Sequence, residues 1–289
     1  MFTCLSPGTI GIRGLSLAQS IELARDSGFA GLDFNIRDAA DLATANGVGY
    51  VRDLFAKANV LIGGWGLPVN WRDDGAWQTD LAELPRLAAL GREIGATRVS
   101  TWMLPFSDER AYDANFAWHV ARFRPIAAVL ADYDCRFGIE FIGPKTLRAA
   151  HAHEFIYTMD GLLELARAIG TGNVGLLLDA YHLYTSGGQI ADLDRITSKD
   201  VVVVHVNDAI AGVPRDEQLD LVRALPGETG VLELGPFLRK LDQLGYDGPV
   251  TPEPFSKRLN EIAATDHLAA AREAARWMKV AWDKAGLKA

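Results

Sequence analysis

The sequence has little cysteine and no long hydrophobic run. Its two cysteines, Cys4 and Cys135, cannot form a disulfide framework, and the layout inferred below places them toward opposite ends of the fold. No segment approaches the roughly 18 continuous apolar residues of a membrane-spanning helix. Residues Met1–Leu5 contain neither a basic stretch nor a long apolar one, so no secretory leader is expected. These absences predict a cytoplasmic protein with reduced thiols and no membrane partner.

An excess of positive charge is also missing. The 29 Lys and Arg residues are outnumbered by 37 Asp and Glu residues, which gives a net charge of −8. Nucleic-acid surfaces depend on clustered basic residues, so this balance argues against a nucleic-acid partner. No Pro-, Gly- or Ser-rich linker divides the chain, and 49% of its residues are hydrophobic. We therefore expect one domain over residues 1–289 with a large core.

Apolar segments alternate with amphipathic ones along almost the whole chain. Some of the apolar segments, such as Val201–Val204, lack polar alternation, as expected of parallel strands that are covered on both faces. The predicted strands are Phe2–Ser6, Gly31–Asn35, Val60–Gly64, Arg98–Met103, Arg136–Phe141, Val174–Asp179, Val201–Asn207 and Pro249–Glu253. Such a succession of strand–helix units predicts an α/β fold, a single (β/α)₈ TIM barrel, which typically takes about 250 residues.

Several helix ends are marked by capping residues. Ser16 and Gln19 have the spacing of a capping box, and Gly28 follows as a C-terminal cap. Thr158 precedes another segment with helical periodicity. A last helix is predicted over about Ala263–Lys284, with an Ala-rich face suited to closing a ring of helices.

The longest predicted connections are Gly143–Tyr157 and Asp208–Gly230, which follow the fifth and seventh strands. Long loops after barrel strands commonly form the substrate pocket and its lid. Trp65, Trp71 and Trp102 lie at or just after the third and fourth strands, where their rings could line a sugar or glycoside site. Ordinary core packing explains these tryptophans equally well, so both interpretations stay open.

Each of the last four predicted strands ends near a side chain that commonly binds metal ions. These side chains are Glu140, Asp179, His205 and Glu253, and apolar residues precede most of them. The C-terminal ends of parallel barrel strands converge, so three carboxylates and one imidazole can hold a single divalent cation there. Mn²⁺ is the ion we expect first, and Co²⁺, Mg²⁺ or Zn²⁺ also suit this set of ligands.

Each of these residues has an ordinary structural explanation as well. Glu140 and Glu253 could be surface carboxylates at strand ends, and His205 could be a hydrogen-bonded core histidine. Asp179 is harder to explain in this way, because it follows a run that should be buried, where an unpaired charge is costly. Together the four favour a metal site, and His182 follows Asp179 closely enough to lie beside it.

The charges suggest a reaction. Glu140 and Glu253 on opposite sides of a bound sugar could remove and return a proton α to a carbonyl. A divalent cation would polarise that carbonyl and stabilise the resulting enediolate. The residues alone thus support the hypothesis of a metal-dependent isomerase or epimerase.

This order of residues resembles the sugar phosphate isomerase/epimerase superfamily, which has a xylose isomerase-like TIM barrel. The superfamily includes ketose 3-epimerases, inosose dehydratases and endonuclease IV. The resemblance covers nearly the whole chain, and its specific part is the order Glu140, Asp179–His182, His205–Asp208, Arg215 and Glu253. The segment Leu225–Glu228 also resembles a Pro-Gly-Glu-Gly turn common in the superfamily, which Thr229 interrupts here. The resemblance implies that the four strand-end residues bind Mn²⁺ or a similar ion.

The resemblance also assigns roles to individual residues. It implies that Glu140 and Glu253 are the catalytic acid/base pair, and that His182 and Arg215 contact substrate oxygens. Together with Trp65 and Trp102, these residues complete the predicted substrate site. Relatives are often dimers or tetramers, so a homo-oligomer is a further expectation.

One departure from the superfamily argues against a DNA repair activity. Endonuclease IV relatives need further histidines on the second and third strands, whereas those strands end here in Asp33–Asn35 and Gly63–Gly66. Two other functions stay open. The same proton removal followed by loss of a β-substituent would make the protein a lyase, either inosose dehydratase-like or acting on keto-glycosides. A catalytically inactive barrel that serves as a binding subunit is the non-enzymatic alternative.

Overall fold

The structure, a computed structural model, describes residues 1–287, and the predicted domain of residues 1–289 extends two residues beyond that part. The strands of the described part are β1 (Phe2–Leu5), β2 (Gly31–Phe34), β3 (Leu61–Gly66), β4 (Arg98–Met103), β5 (Phe106–Ser107), β6 (Arg136–Phe141), β7 (His153–Glu154), β8 (Val174–Asp179), β9 (Val201–Val206) and β10 (Pro249–Pro252). All of them except β5 and β7 form a closed parallel barrel in the ring order β1-β10-β9-β8-β6-β4-β3-β2. The predicted (β/α)₈ barrel is therefore confirmed.

The eight barrel strands lie where the sequence predicts them, with ends that differ by no more than two residues. The apolar run Val201–Val204 is fully buried, as expected of a parallel strand covered on both faces. Cys4 and Cys135 are both buried and free. The thiols therefore behave as small apolar core groups, and no disulfide links the described strands.

Helices surround the barrel and connect its strands. They are α1 (Leu17–Ser27), α2 (Ile36–Asn46), α3 (Val48–Ala58), α4 (Trp77–Ile94), α5 (Tyr112–Asp132), α6 (Lys145–Arg148), α7 (Met159–Ile169), α8 (Ala180–Thr185), α9 (Leu234–Gln243), α10 (Lys257–Ala263) and α11 (His267–Ala285). The predicted capping box of Ser16 and Gln19 is present, and Gly28 ends α1 in the left-handed conformation that glycine favours. Thr158 caps α7 by accepting a hydrogen bond from the Gly161 backbone N–H.

The last helix begins later than predicted. The segment predicted as one helix from about Ala263 starts instead with the end of α10, and α11 begins at His267. Asp266 separates the two helices, because its side chain caps α11 by accepting a hydrogen bond from the Ala269 backbone N–H. An N-cap residue has extended backbone dihedrals, so it interrupts a continuous helix.

The predicted loop Gly143–Tyr157 is partly ordered into secondary structure. It contains α6 and β7, and β7 pairs antiparallel with β5 beyond the end of β4. The His151 ring stacks on Phe106 and contacts the Asp108 carboxylate. The loop is therefore attached to the segment that follows β4, on the C-terminal side of the barrel.

One large hydrophobic core fills the space between the barrel and its helices. The barrel interior is partly polar. Near the N-terminal strand ends Arg98 donates to the Val202 carbonyl, and deeper inside Asp33 accepts from Thr251 and from the Gly64 backbone N–H. No helix within residues 1–287 has the length and apolar character needed to cross a membrane.

Candidate metal centre

Four side chains meet at the C-terminal end of the barrel. Glu140, Asp179, His205 and Glu253 each offer one ligand atom, and these atoms all lie within 4.8 Å of one another. The His205 Nδ1 atom is 3.4 Å from Glu253 Oε2 and 3.8 Å from Glu140 Oε1. The structure thus brings together the four residues that the sequence predicts as a metal site.

The strand register explains why residues so far apart in the chain meet. The four residues come from β6, β8, β9 and the end of β10, which are consecutive in the ring. Asp179 is paired with His205 in the β8–β9 register, and Thr251, two residues before Glu253, is paired with the same histidine across β9–β10. Parallel strands point the same way, so all four side chains reach the same end of the barrel.

Two atoms of this cluster are buried and lack a hydrogen-bond partner among the described residues. They are Glu140 Oε1 and His205 Nδ1. Buried polar atoms are nearly always hydrogen-bonded, and an unsatisfied one costs about 1–3 kcal/mol. A divalent cation bound between them would satisfy both atoms, and the oxygen and nitrogen donors suit Mn²⁺ or Zn²⁺. The residues present therefore fit a metal ion.

A buried arginine also contacts the cluster. The Arg223 Nη1 atom donates to Asp179 Oδ2 at 2.8 Å and to Glu253 Oε2 at 3.1 Å. Its Nη2 atom donates to Asp220 Oδ1 at 2.9 Å, and the side chain is only 1% exposed. Arg223 therefore ties two of the four candidate ligands to the loop between β9 and α9.

That loop is fixed by a second acidic residue. Asp208 is fully buried, and its carboxylate accepts hydrogen bonds from the backbone N–H groups of Ala209, Thr229, Gly230 and Leu232. Its own backbone pairs with Ala224, the neighbour of Arg223. These bonds close the predicted loop Asp208–Gly230 into a defined structure, which holds the arginine at the barrel mouth.

The orientation of Asp179 is fixed by neutral donors as well. Its Oδ1 atom accepts from the Tyr181 backbone N–H at 2.6 Å, so the residue caps α8. The Asn207 amide donates to both carboxylate oxygens at 3.2 Å. Such bonds restrict a candidate ligand to one rotamer, and this order lowers the entropy lost when an ion binds.

The cluster shifts the pKa values of its own members. Burial, and then the nearby charge of Glu253, raise the pKa of Glu140 well above its usual range. Burial alone would also raise the pKa of Glu253, but His205 and Arg223 outweigh it and hold that pKa below its usual value. Burial lowers the pKa of His205, yet the carboxylates, Glu253 foremost, raise it to about 10.

His182 lies beside the cluster as predicted, but in a buried position. Its Nε2 atom is 3.7 Å from Glu140 Oε1 and 3.1 Å from the Nη2 atom of Arg223. Burial, and then the Arg223 charge, lower its pKa to about 3, so the ring is neutral. Its Nδ1 atom accepts from the Gly143 backbone N–H, and a side chain at Gly143 would overlap the His182 carbonyl. His182 therefore supports the cluster and the loop that follows β6.

Two of the predicted substrate residues make no hydrogen bond or ion pair with the cluster in the described part of the chain. Trp65 is buried and donates from Nε1 to the Ala96 carbonyl at 2.8 Å, so it packs in the core instead of lining the mouth. Arg215 is 45% exposed and pairs with the neighbouring Asp216. The arginine that contacts the cluster is Arg223, eight residues later in the same loop. No local sequence signal distinguishes Arg223 from Arg215, because both arginines lie in an irregular segment with acidic residues nearby.

Trp102 keeps its predicted place. It is 47% exposed and paired with Glu140 in the β4–β6 register, so its ring lies at the mouth next to the cluster. Trp71, the third tryptophan of the predicted group, is buried, and its Nε1 atom points to Thr101 Oγ1 at 3.3 Å. One exposed indole therefore remains as a candidate sugar-stacking surface.

The chain is similar to a known family and to named enzymes. The family described as "Xylose isomerase-like TIM barrel" matches residues 21–281. An inosose isomerase of Bacillus velezensis is 21% identical over 283 residues, which cover 94% of this chain and 95% of that protein. An inosose isomerase of Halalkalibacterium halodurans is 26% identical over 148 residues, 51% of this chain, and this match spans about half (49%) of that relative.

Solved structures share the whole barrel. A xylose isomerase domain protein from Alicyclobacillus acidocaldarius is 30% identical with a TM-score of 0.85, and the match covers 99% of both chains. An IolI protein solved with a binding zinc atom has a TM-score of 0.77 at 17% identity, over 99% of this chain and 98% of that one. D-psicose 3-epimerase from Clostridium cellulolyticum H10 has a TM-score of 0.70 at 13% identity, over 99% of both chains. At these lower identities the likeness shows the fold.

Proposed function

The chain belongs to the xylose isomerase-like TIM barrel family, as expected from its strand-end residues, and from this premise we propose that it is a divalent-metal-dependent isomerase or epimerase of a sugar or keto-sugar. Its curated relatives are named inosose isomerases. We propose a reaction that begins with removal of a proton α to a carbonyl.

The observation that supports this proposal most strongly is the unpaired state of two buried ligand atoms. Glu140 Oε1 and His205 Nδ1 face the same small space as Asp179 and Glu253, and neither has a hydrogen-bond partner in the described part of the chain. A barrel that served only to bind a partner would gain nothing from two buried polar atoms that lack hydrogen bonds, which destabilise the fold. The four residues would hold one ion, for which we propose Mn²⁺.

Glu140 and Glu253 are the proposed acid/base pair. They reach the cluster from β6 and β10, with β8 and β9 between them in the ring, so their carboxylates approach a bound substrate from different sides. One carboxylate can remove the α-proton and the other can return a proton on the opposite face or at the neighbouring carbon. When bound, the ion supplies polarisation of the carbonyl and stabilises negative charge on oxygen.

Arg223 changes the charge of the proposed site. Glu140, Asp179 and Glu253 contribute three negative charges, the neutral His205 none, and Arg223 one positive charge. The four ligands and a divalent ion alone would carry one negative charge, and Arg223 offsets it, although Asp220 shares the same guanidinium at the edge of the site. Arg223 thus reduces the negative charge that would oppose the formation of an enediolate.

An exchange assay in D₂O tests the proposed reaction. Keto-sugars and inososes are incubated in D₂O with the protein and MnCl₂, and the recovered compounds are analysed by mass spectrometry and NMR. We expect an isomeric product that contains deuterium at the carbon next to the carbonyl, because the abstracted proton exchanges with solvent. The expected product keeps the mass of the substrate apart from the deuterium.

Other outcomes assign other functions. A product that has lost water or an aglycone would contradict the isomerase and assign a lyase that shares the first step. A protein that binds these sugars without exchange or product, even with Mn²⁺ bound, would contradict catalysis and favour the binding subunit.

A further inference from the structure

Arg72 is held at the barrel mouth between two indole rings. Its guanidinium carbon lies 4.0 Å from the Trp71 ring centroid and 4.1 Å from that of Trp102, and the guanidinium also donates to the Trp102 carbonyl. Stacking on two aromatic faces fixes a side chain that would otherwise be flexible. The residue itself is exposed, so the guanidinium is both ordered and accessible.

The positive charge of Arg72 has no acidic partner within the part of the chain that the structure describes. Neighbouring basic groups on this side are paired, for example Arg110 with Glu109 and Arg148 with Glu154. The same holds for Lys145, which lies 3.1 Å from Asp216. Arg72 is therefore the preorganised cation of this region that is left to bind an external anion.

Arg72 also lines a cavity of about 490 Å³ next to the mouth. Trp71, Leu104, Phe106 and Trp118 form much of its apolar wall. The acidic residues of the wall already have partners, since Asp74 pairs with Arg122 and Asp108 accepts from His151 and from the Ala152 backbone N–H. Arg110 of the same wall pairs with Glu109, so Arg72 is the one arginine of the wall without an ion-pair partner in the described part of the chain.

Two buried polar side chains in the cavity wall have hydrogen-bonding groups that no described residue uses. Asn115 is 3% exposed, and its side-chain amide makes no hydrogen bond within residues 1–287. The Nδ1 atom of His119 lies 2.8 Å from the Asn115 carbonyl and so donates to it, which leaves Nε2 as an acceptor. Burial lowers the pKa of His119 to about 4, so this ring is neutral. A donor, an acceptor and a cation thus line one cavity.

The Arg72 guanidinium, at the edge of this cavity, is within reach of the proposed metal centre. Trp102 is the register partner of Glu140, and neighbouring strands lie about 4.8 Å apart. Since Arg72 stacks on the Trp102 ring, its guanidinium is on the order of 10 Å from the Glu140 backbone. A six-carbon sugar with a terminal carboxylate or phosphate has about this length.

We propose that the substrate carries an anionic substituent, a carboxylate or a phosphate, that binds Arg72 while its carbonyl end lies at Glu140 and Glu253. This inference rests on the proposed function and deepens it. Arg72 forms a bidentate pair with the anion, and Asn115 and His119 contact polar groups of the substrate that extend into the cavity. Arg72 is a specificity residue and takes no part in proton transfer.

Binding measurements on the Mn²⁺-loaded protein test this proposal. Fructose, fructose 6-phosphate and glucuronate are titrated by calorimetry and by tryptophan fluorescence, because Trp71 and Trp102 both contact Arg72. We expect the wild type to bind at least one of the two anionic probes about tenfold or more tightly than fructose. The comparison of phosphate with carboxylate identifies which anion the site accepts.

Three variants complete the test. Arg72→Gln should abolish the preference for the anion, and Arg72→Lys should retain part of it, because lysine keeps the charge but cannot pair in a bidentate way. Arg92→Gln is the matched control, since Arg92 pairs with Asp134 at the other end of the barrel and makes the same charge change. Thermal melts confirm that each variant is folded.

An equal affinity of the wild type for fructose and both anionic probes would overturn the proposal. So would an anion preference that persists in Arg72→Gln. Neither result bears on α-proton exchange, which is measured separately, so failure of the anion site and failure of the isomerase are distinguishable.

Discussion

Replacing either Glu140 or Glu253 by glutamine is expected to lower the rate of α-proton exchange by roughly 10³-fold. A neutral amide cannot accept the α-proton or return one, while its oxygen remains a weaker ligand for an ion. The effect should appear in the exchange rate at saturating substrate, because the proton transfer itself is lost. The measurement is deuterium incorporation from D₂O with Mn²⁺ in excess.

Two controls separate lost proton transfer from lost metal. The bound ion of each variant is counted by elemental analysis, and rates are compared at full metal occupancy. Glu217→Gln makes the same chemical change at an exposed residue of the loop between β9 and α9, and it should leave the exchange rate unchanged. Wild-type exchange rates in metal-loaded Glu140→Gln or Glu253→Gln would remove that residue from the acid/base pair.

The second large effect is expected on stability, from Arg223→Gln in the metal-free protein. This change removes the buried guanidinium that pairs with the carboxylates of Asp179 and Glu253, and breaking such a buried pair costs about 3–5 kcal/mol. For a chain of this size the melting temperature should fall by about 10 °C. Mn²⁺ neutralises the same carboxylates, so the loss should be smaller in the metal-loaded protein.

Arg215→Gln is the matched control for this prediction. Arg215 lies in the same loop, but its side chain is 45% exposed and pairs with a neighbouring exposed aspartate. Surface pairs contribute about 0–1 kcal/mol, so the melting temperature should hardly change. Equal melting temperatures for the two variants, or a loss at Arg223 that Mn²⁺ does not reduce, would contradict the role assigned to Arg223.

The barrel was predictable because its signals are local and repeated. Uninterrupted apolar runs such as Val201–Val204 predict buried parallel strands, and capping residues such as Ser16 and Thr158 mark where helices begin. Asp266 shows the limit of this reasoning. An aspartate within a long Ala-rich periodic segment is compatible with a helix interior, and only the observed cap shows that two helices meet there.

The four candidate ligands were predictable for a topological reason. Residues at the C-terminal ends of neighbouring barrel strands must lie close together, so their positions follow from the strand assignments alone. Arg223 and Arg72 lie in loops, where no such rule relates sequence position to space. Arg223 reaches the cluster because the Asp208 carboxylate accepts hydrogen bonds from four backbone N–H groups and so closes the loop that carries Arg223. The sequence alone does not reveal these hydrogen bonds.

The tryptophans show the same limit. Trp65 and Trp102 lie near the C-terminal ends of the neighbouring strands β3 and β4, and the sequence does not reveal which of the two rings faces the mouth of the barrel. The structure packs Trp65 against Ala96 in the core and leaves Trp102 exposed beside Glu140. Side-chain direction near a strand end depends on register, and β3 has a register irregularity against β2.

The central claim is that Glu140, Asp179, His205 and Glu253 hold one divalent ion, and calorimetric titration of the chelator-treated protein with MnCl₂ tests it most directly. We expect one ion per chain and release of protons, because the raised pKa of His205, about 10, keeps its ring protonated in the metal-free protein at neutral pH. Because the proton on His205 competes with the ion, the affinity for Mn²⁺ should increase as the pH rises toward 10. The substitutions Asp179→Asn and His205→Gln should each abolish tight binding of Mn²⁺. Absence of Mn²⁺ binding in the wild type, or unchanged binding in both variants, would contradict the claim.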